Sequence, residues 1–281
     1  MGELLGRTCL VTGATHGIGR ATAEALAGLG ATVIVHGRDS AAVGAVCREI
    51  SRTSGNAQIT GAVADFASLA AVRRLAAELN ARHARLDVLV NNAGTSARQR
   101  RLTSDGFEWS LGVNHLAPFL LTTLLLDKLK ASAPARVVTV ASMAYRRGTL
   151  ELDDLSWERR KYNTLKAYSD SKLANVLFTR ELARRLSHSG VTANCLHPGV
   201  VATNIFNQLG LLGRVFTMLA KPFLLTSAEG AKTSVHLASA TEVAGVSGKF
   251  FDRCREVPLD PVATNDAGAQ RLWERSERLC G

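Results

Sequence analysis

The sequence predicts an α/β fold: a doubly wound parallel sheet with helices on both faces. Three observations predict it. Short apolar runs alternate with longer stretches of helical spacing along the chain. The runs are near-continuously apolar, as in strands buried on both faces. No Pro/Gly/Ser-rich linker, repeat or low-complexity tract divides the 281 residues, so one domain over 1–281 is expected.

The elements follow in order. Thr8–Val11 reads as a strand ending in a Gly-rich turn, and Gly19–Leu29 as a helix with Ala21, Ala25 and Leu29 on one face. Thr32–Val35 is the second strand, and a helix covers roughly Ala41–Arg52. Gln58–Ala64 is the third strand, and Leu69–Arg82 a helix with Val72, Leu75, Ala76 and Leu79 on one face. Leu86–Val90 is the fourth strand, running into Asn91-Asn92-Ala93-Gly94. A long helical region covers about Phe107–Leu129, then a strand at Arg136–Val140, a helix at Tyr168–Ser187 and a strand at Thr192–Leu196. Phe250–Phe251 belongs to a last strand.

Composition narrows the function classes. Hydrophobic residues make up 46% and charged residues 21%, enough for a large core and too ordered a mixture for a disordered chain. The net charge is +10, but the basic residues are spread out and no nucleic-acid module is visible, so no nucleic-acid partner is expected. The five cysteines are scattered without a C-x-x-C pair; no metal site is read, and reduced thiols point to a cytoplasmic protein. The N-terminus reads as the start of a strand, and no window of about 18 uninterrupted apolar residues marks a transmembrane helix.

The turn after the first strand reads Thr12-Gly13-Ala14-Thr15-His16-Gly17-Ile18-Gly19. Gly13 permits a tight turn, Gly17 close approach of backbone to a phosphate, and Gly19 close packing of helix on strand. The following helix N-terminus presents free N–H groups to a pyrophosphate. A plain Gly-rich βα turn is the alternative. The second strand ends near where an adenosine ribose would lie in a Rossmann fold, and there the chain carries Arg38 rather than an acidic residue; Asp39 comes one place later. An arginine can pair with a 2′-phosphate, so NADP(H) is favoured over NAD(H). A solvated Arg38 is the alternative.

Tyr168 and Lys172 stand four apart in a helical segment, hence on one face. A nearby ammonium lowers a phenol's pKa and makes the pair a usable acid and base. Ser142 follows the fifth strand at the carboxyl edge, where its hydroxyl can bond a substrate oxygen.

Together these residues resemble the short-chain dehydrogenase/reductase superfamily, in its single-domain Rossmann form. The resemblance rests on the Gly13–Gly19 turn, Asp65, Asn91-Asn92-Ala93-Gly94, Asn114, Ser142, Tyr168, Lys172 and Pro198-Gly199. It implies catalytic roles for Asn114, Ser142, Tyr168 and Lys172. It implies cofactor contacts from Gly13, Thr15, His16, Gly17, Ile18, Gly19 and Arg38, from Asp65 and Phe66 at the adenine, from Asn92, Ala93 and Gly94 at the adenosine ribose, from Tyr168 and Lys172, and from Pro198, Gly199, Val201 and Thr203 around the nicotinamide. Val113-Asn114-His115-Leu116, Ser171-Lys172-Leu173-Ala174-Asn175 and the stretch Arg146–Lys166 resemble the retinol dehydrogenase-like branch. That branch often carries an N-terminal membrane anchor, and none is expected from the start of this sequence. The resemblance implies an oxidoreductase interconverting a carbonyl and an alcohol, and a homodimer or homotetramer formed through the helices bearing Asn114 and Tyr168.

Residues 203–225 are rich in large apolar side chains, among them Ile205, Phe206, Phe216, Phe223 and Leu225. They read as a lid over a lipophilic substrate, as core or subunit contact, or as shallow membrane contact aided by Arg214 and Lys221. A non-catalytic NADP-binding sensor or scaffold on the same fold is the competing function.

Overall fold

The structure, a computed structural model, describes residues 3–199 and 225–281. Eight strands form one sheet in the order β3-β2-β1-β4-β5-β6-β7-β8: β1 Thr8–Val11, β2 Thr32–Gly37, β3 Ile59–Val63, β4 Val88–Asn91, β5 Ala135–Val140, β6 Val191–His197, β7 Phe250–Asp252 and β8 Arg255–Val257. Pairings from β3 to β7 are parallel, and β8 returns antiparallel on β7. The order reverses direction between β1 and β4, which opens a crevice at the strands' carboxyl ends where α/β sheets bind ligands.

Among the described residues the long helices are α1 Gly17–Gly28, α2 Ser40–Ser54, α3 Leu69–Arg82, α4 Trp109–Ala131, α5 Thr164–Arg185, α6 Ser227–Ser239 and α7 Asp266–Cys280. Because successive side chains of a strand point to opposite faces, each central strand feeds two cores. Leu10, Leu89 and Val137 pack on the side of α3, α4 and α5. Cys9, Val11, Val88, Val90, Val138 and Val140 pack on the side of α1 and α6, with Leu26 and Leu237. Helix starts are set by side-chain caps: Asp39 for α2, Ser68 for α3, Glu108 for α4, Asn163 for α5, Thr226 for α6 and Asn265 for α7. The Asn163 cap starts α5 one turn earlier than its apolar pattern suggests.

Sequence patterning found the first six strands and their helices but not α6, β8 or α7. The start of α6 is a capping box, with Thr226 and Glu229 bonding each other's backbone N–H. Its signature, Thr-x-x-Glu, is written in the sequence. A π turn, Gly112–Leu116, interrupts α4. Trp109–Ala131 is long and apolar enough to cross a membrane by length and composition, and 83% of its most apolar window is buried inside the protein.

Candidate active site

The crevice begins at the turn between β1 and α1. Gly13 has φ +63°, and a Cβ there would lie 2.8 Å from Ala93 Cα. A Cβ on Gly19 would meet Asn92 Nδ2 at 2.3 Å, so loop and helix approach to backbone contact. Thr12 Oγ accepts the N–H groups of Asn92 and Ala93 at 2.9 and 3.0 Å. Asn92 Nδ2 donates to the carbonyls of Thr12 and Gly13 at 2.7 and 3.2 Å. Asn92 therefore stitches the two loops together, and Ala93 and Gly94 follow at their junction. Thr15 and His16 sit at the lip, their side chains 3.2 Å apart, and Ile18 is half-buried in the first turn of α1.

His36 fastens this turn from beneath. Its Nδ1 accepts the Gly13 N–H at 3.3 Å, its Nε2 lies 3.1 Å from the Ala64 carbonyl, and its ring stacks on Phe66 at 4.5 Å. That pattern assigns the proton to Nε2, and burial pushes the imidazole down to about 4, so it stays neutral. Phe66 is buried with the core and its ring faces His36. Asp65 is exposed and accepts the Ala67 N–H at 2.9 Å.

The α1 N-terminus, unlike the other long helices described, has no side-chain cap, so its first N–H groups remain available to an anion. At the end of β2, Arg38 is exposed with no hydrogen bond or ion pair among the described residues, whereas Asp39 is spent on capping α2, its Oδ1 accepting Ala42 N–H at 2.7 Å. A glycine cradle, uncapped amides and an unengaged guanidinium fit a dinucleotide carrying phosphates.

Asn114 lies in the π turn, fully buried. Its Oδ1 accepts the Thr95 N–H at 2.7 Å, and its Nδ2 donates to the Thr95 carbonyl at 2.9 Å and to Ser171 Oγ at 3.0 Å. Ser171 donates to the Tyr168 carbonyl at 2.7 Å. The side chain of Asn114 thus joins the loop after β4 to the helix carrying Tyr168. Lys172 is buried, its Nζ donating to the Val140 carbonyl at 2.9 Å and lying 5.7 Å from the Tyr168 ring centroid. A Cβ on Gly94 would stand 3.5 Å from Lys172 Nζ and 3.6 Å from Asn114 Oδ1. The structure therefore brings the glycine loops, Asn114 and Lys172 to one place.

Ser142 closes the site at the end of β5. Its Oγ accepts the Ala144 N–H at 3.2 Å, leaving its own hydrogen free to act on the phenol. Burial pushes the Tyr168 phenol up to about 12, and Ser142 pulls against that rise. The expectation that Lys172 holds the phenol below its usual value is corrected here: burial raises it, and the lowering influence comes from Ser142. Burial also pushes Lys172 down to about 8. Beyond β6, Pro198 and Gly199 are half-buried, with Gly199 at φ +82°. Val201, Thr203 and the lid at 203–225, apart from Leu225, fall outside the described residues.

The sequence places Thr12 and Ser171 only within motifs, with no site role, and assigns no role to His36 and Thr95. A histidine inside an apolar strand is a signal of a buried, satisfied imidazole. Thr95 and Ser171 act on partners whose nearness only the fold reveals. The apolar residues Leu125, Phe178 and Leu182 lie in the chain's own core.

Comparisons with known proteins accord with this geometry. The profile described as short chain dehydrogenase matches residues 7–211. Human retinol dehydrogenase 13 is 46% identical, the alignment covering 98% of this chain and 85% of that protein. Human retinol dehydrogenase 14 is also 46% identical, over 100% and 88%. A solved structure from Mycobacterium paratuberculosis superposes with TM-score 0.80 at 36% identity, covering 98% and 94%. Pseudomonas aeruginosa RhlG, solved as an NADP active-site complex, superposes with TM-score 0.71 at 29% identity, covering 88% and 94%. These relatives overturn the cytoplasmic expectation. It rested on thiols and on the N-terminal pattern, and neither reports on a membrane. The curated relatives are named for retinol, a lipid-soluble alcohol that partitions into bilayers.

Proposed function

The chain belongs to the short-chain dehydrogenase family, retinol dehydrogenase-like, an oxidoreductase acting on CH–OH groups with NAD(P), and from that premise we propose that it is NADP-dependent and uses Tyr168 as acid and base on a lipophilic aldehyde, ketone or alcohol. The observation that carries the reading is the convergence of Ser142, Tyr168 and Lys172 at the sheet's carboxyl edge beside Gly94. Arg38 supports the NADP preference: it is exposed and unengaged while its acidic neighbour Asp39 is committed to a helix cap.

The dinucleotide, when bound, supplies or accepts the hydride. The chain does the rest. Gly13, Thr15, His16, Gly17, Ile18 and Gly19 would hold its pyrophosphate against the α1 amides, Arg38 its 2′-phosphate, and Asp65 with the Phe66 backbone its adenine. Asn92, Ala93 and Gly94 would border the adenosine ribose, and Pro198, Gly199, Val201 and Thr203 the nicotinamide. Ser142 donates a hydrogen bond to the substrate oxygen, and Tyr168 gives that oxygen its proton during reduction or removes it during oxidation. Lys172 places positive charge beside the phenol and would bond the nicotinamide ribose. The Asn114 side chain is committed to Thr95 and Ser171, so its help to Lys172 passes through the backbone of the π turn.

We also propose that 1–281 acts as one domain, with 203–225 as its lid. For assembly the proposal remains a homodimer or homotetramer, whose contacts cannot include Phe178 and Leu182 because both are buried within the chain.

The test is NADPH and NADH oxidation across retinal, long-chain aldehydes, steroids, quinones and aromatic ketones. NADPH-preferring turnover is expected. Tyr168→Phe should abolish turnover and keep NADPH affinity. Arg38→Ala should weaken NADPH by roughly tenfold and NADH little, the scale of one charge-assisted phosphate contact. Silence across the panel with tight NADPH binding would favour the sensor or scaffold.

A further inference from the structure

Among the described residues, the large apolar side chains left exposed are Leu5, Val63, Leu102 and Leu165. Leu5 lies in the N-terminal turn, Val63 ends the edge strand β3, and Leu102 lies in the loop beyond β4. Leu165 alone stands on the helix that carries the tyrosine and lysine. It is 58% exposed.

Its position on α5 is specific. Leu165, Tyr168 and Lys172 fall at i, i+3 and i+7, one face of a helix. Leu165 therefore lies one turn before Tyr168 toward the helix N-terminus, on the same face. The helix N-terminus sits at the carboxyl edge of the strands. Thr164 Oγ donates to the Arg98 carbonyl at 3.0 Å, tying this turn to the segment after β4. Lys166 Nζ donates to the Arg147 carbonyl at 3.0 Å, tying it to the segment after β5.

The turn is also fixed. Asn163 Oδ1 accepts the Lys166 N–H at 3.0 Å. Tyr162 donates to Glu108 Oε1 at 2.9 Å, and Glu108 Oε2 accepts the Leu111 N–H at 2.8 Å. Both polar neighbours, Thr164 and Lys166, are therefore bonded to the loops that frame the site. The apolar side chain between them is left exposed.

We propose that Leu165 is a specificity-determining residue, an apolar contact for the part of the substrate that extends from the carbonyl. The inference rests on the proposed function and deepens it: the favoured substrate carries an aliphatic chain or ring next to the reacting carbon. Covering an exposed leucine with such a group removes apolar surface from both. A short or polar carbonyl compound gains nothing there.

The experiment measures kcat/KM with NADPH for butanal, hexanal, octanal and decanal, in the wild type, Leu165→Ser and Leu165→Met. NADPH affinity and Tm are recorded alongside. In the wild type kcat/KM rises along the series. In Leu165→Ser the decanal-to-butanal ratio falls about tenfold, which is ~1.4 kcal/mol, while Leu165→Met keeps most of the rise and both variants bind NADPH as the wild type does. An unchanged ratio in Leu165→Ser overturns the inference and leaves the enzyme reading standing. So does a loss shared equally by all four aldehydes, or a fall in Tm that accounts for the loss. A wild type that binds NADPH and reduces no carbonyl overturns the proposed function, and this inference with it.

Discussion

At Lys172 two requirements oppose each other. The ammonium must be charged to act on the phenol and ribose, yet burial pushes it down to about 8. The phenol of Tyr168 is pushed the other way, up to about 12, against the pull of Ser142. Both groups thus carry their protons at neutral pH, the state suited to giving a proton to a carbonyl oxygen. The sign follows directly. A lysine with a lowered pKa stays charged below about 8 and loses its charge as pH rises through that value. With saturating NADPH, carbonyl reduction should hold steady below about 8 and decline above it; a rate still flat well into the alkaline range would remove Lys172 from its role. The i, i+4 spacing made the pair legible in the sequence. The direction of the tyrosine's shift was not legible, because burial is set by strands and helices far along the chain.

At the scale of elements, the β1–α1 turn shows how much a local motif can say. Gly13 and Gly17 both have positive φ, but their surroundings differ. A Cβ on Gly13 would press on Ala93, whereas one on Gly17 would meet nothing within 4 Å. Gly17→Ala therefore carries only the left-handed strain of about 1–2 kcal/mol. Gly13→Ala adds a backbone clash and should cost more. Urea melts of both variants without cofactor would show it, and equal midpoints would mean that the turn relaxes away from Ala93. The glycine spacing announced this turn, and Tyr168 with Lys172 announced α5. What holds the elements in place was silent. His36 reaches Ala64 across 28 positions, Asn92 reaches Thr12 across 80, and Asn114 reaches Ser171 across 57. Such partners share no local pattern, so only the closed sheet reveals them. α6 is a different kind of miss, since its capping box was readable at Thr226 and Glu229.

Over the whole molecule, α7 brings the chain's end back onto the catalytic half. Trp273 packs edge-on to Phe119 of α4, with ring centroids 4.9 Å apart, and stacks on Phe178 of α5 at 5.8 Å. The Arg185 guanidinium lies 4.4 Å from its ring centroid, and the indole N–H donates to Glu277 at 2.7 Å. Nearby, Ser276 Oγ and His115 Nε2 are 2.8 Å apart inside the π turn's neighbourhood, 161 positions distant in sequence. α7 therefore steadies the two helices that carry Asn114 and Tyr168 by packing Trp273 against Phe119 and Phe178. Trp273→Ala should cost roughly 3–5 kcal/mol, as loss of a buried tryptophan does, and lower Tm by about 10 °C. Opening that packing should also make the variant associate with concentration in light scattering, beyond any assembly of the wild type. A Tm within a degree or so of the wild type would show that α7 rests on the core without holding it.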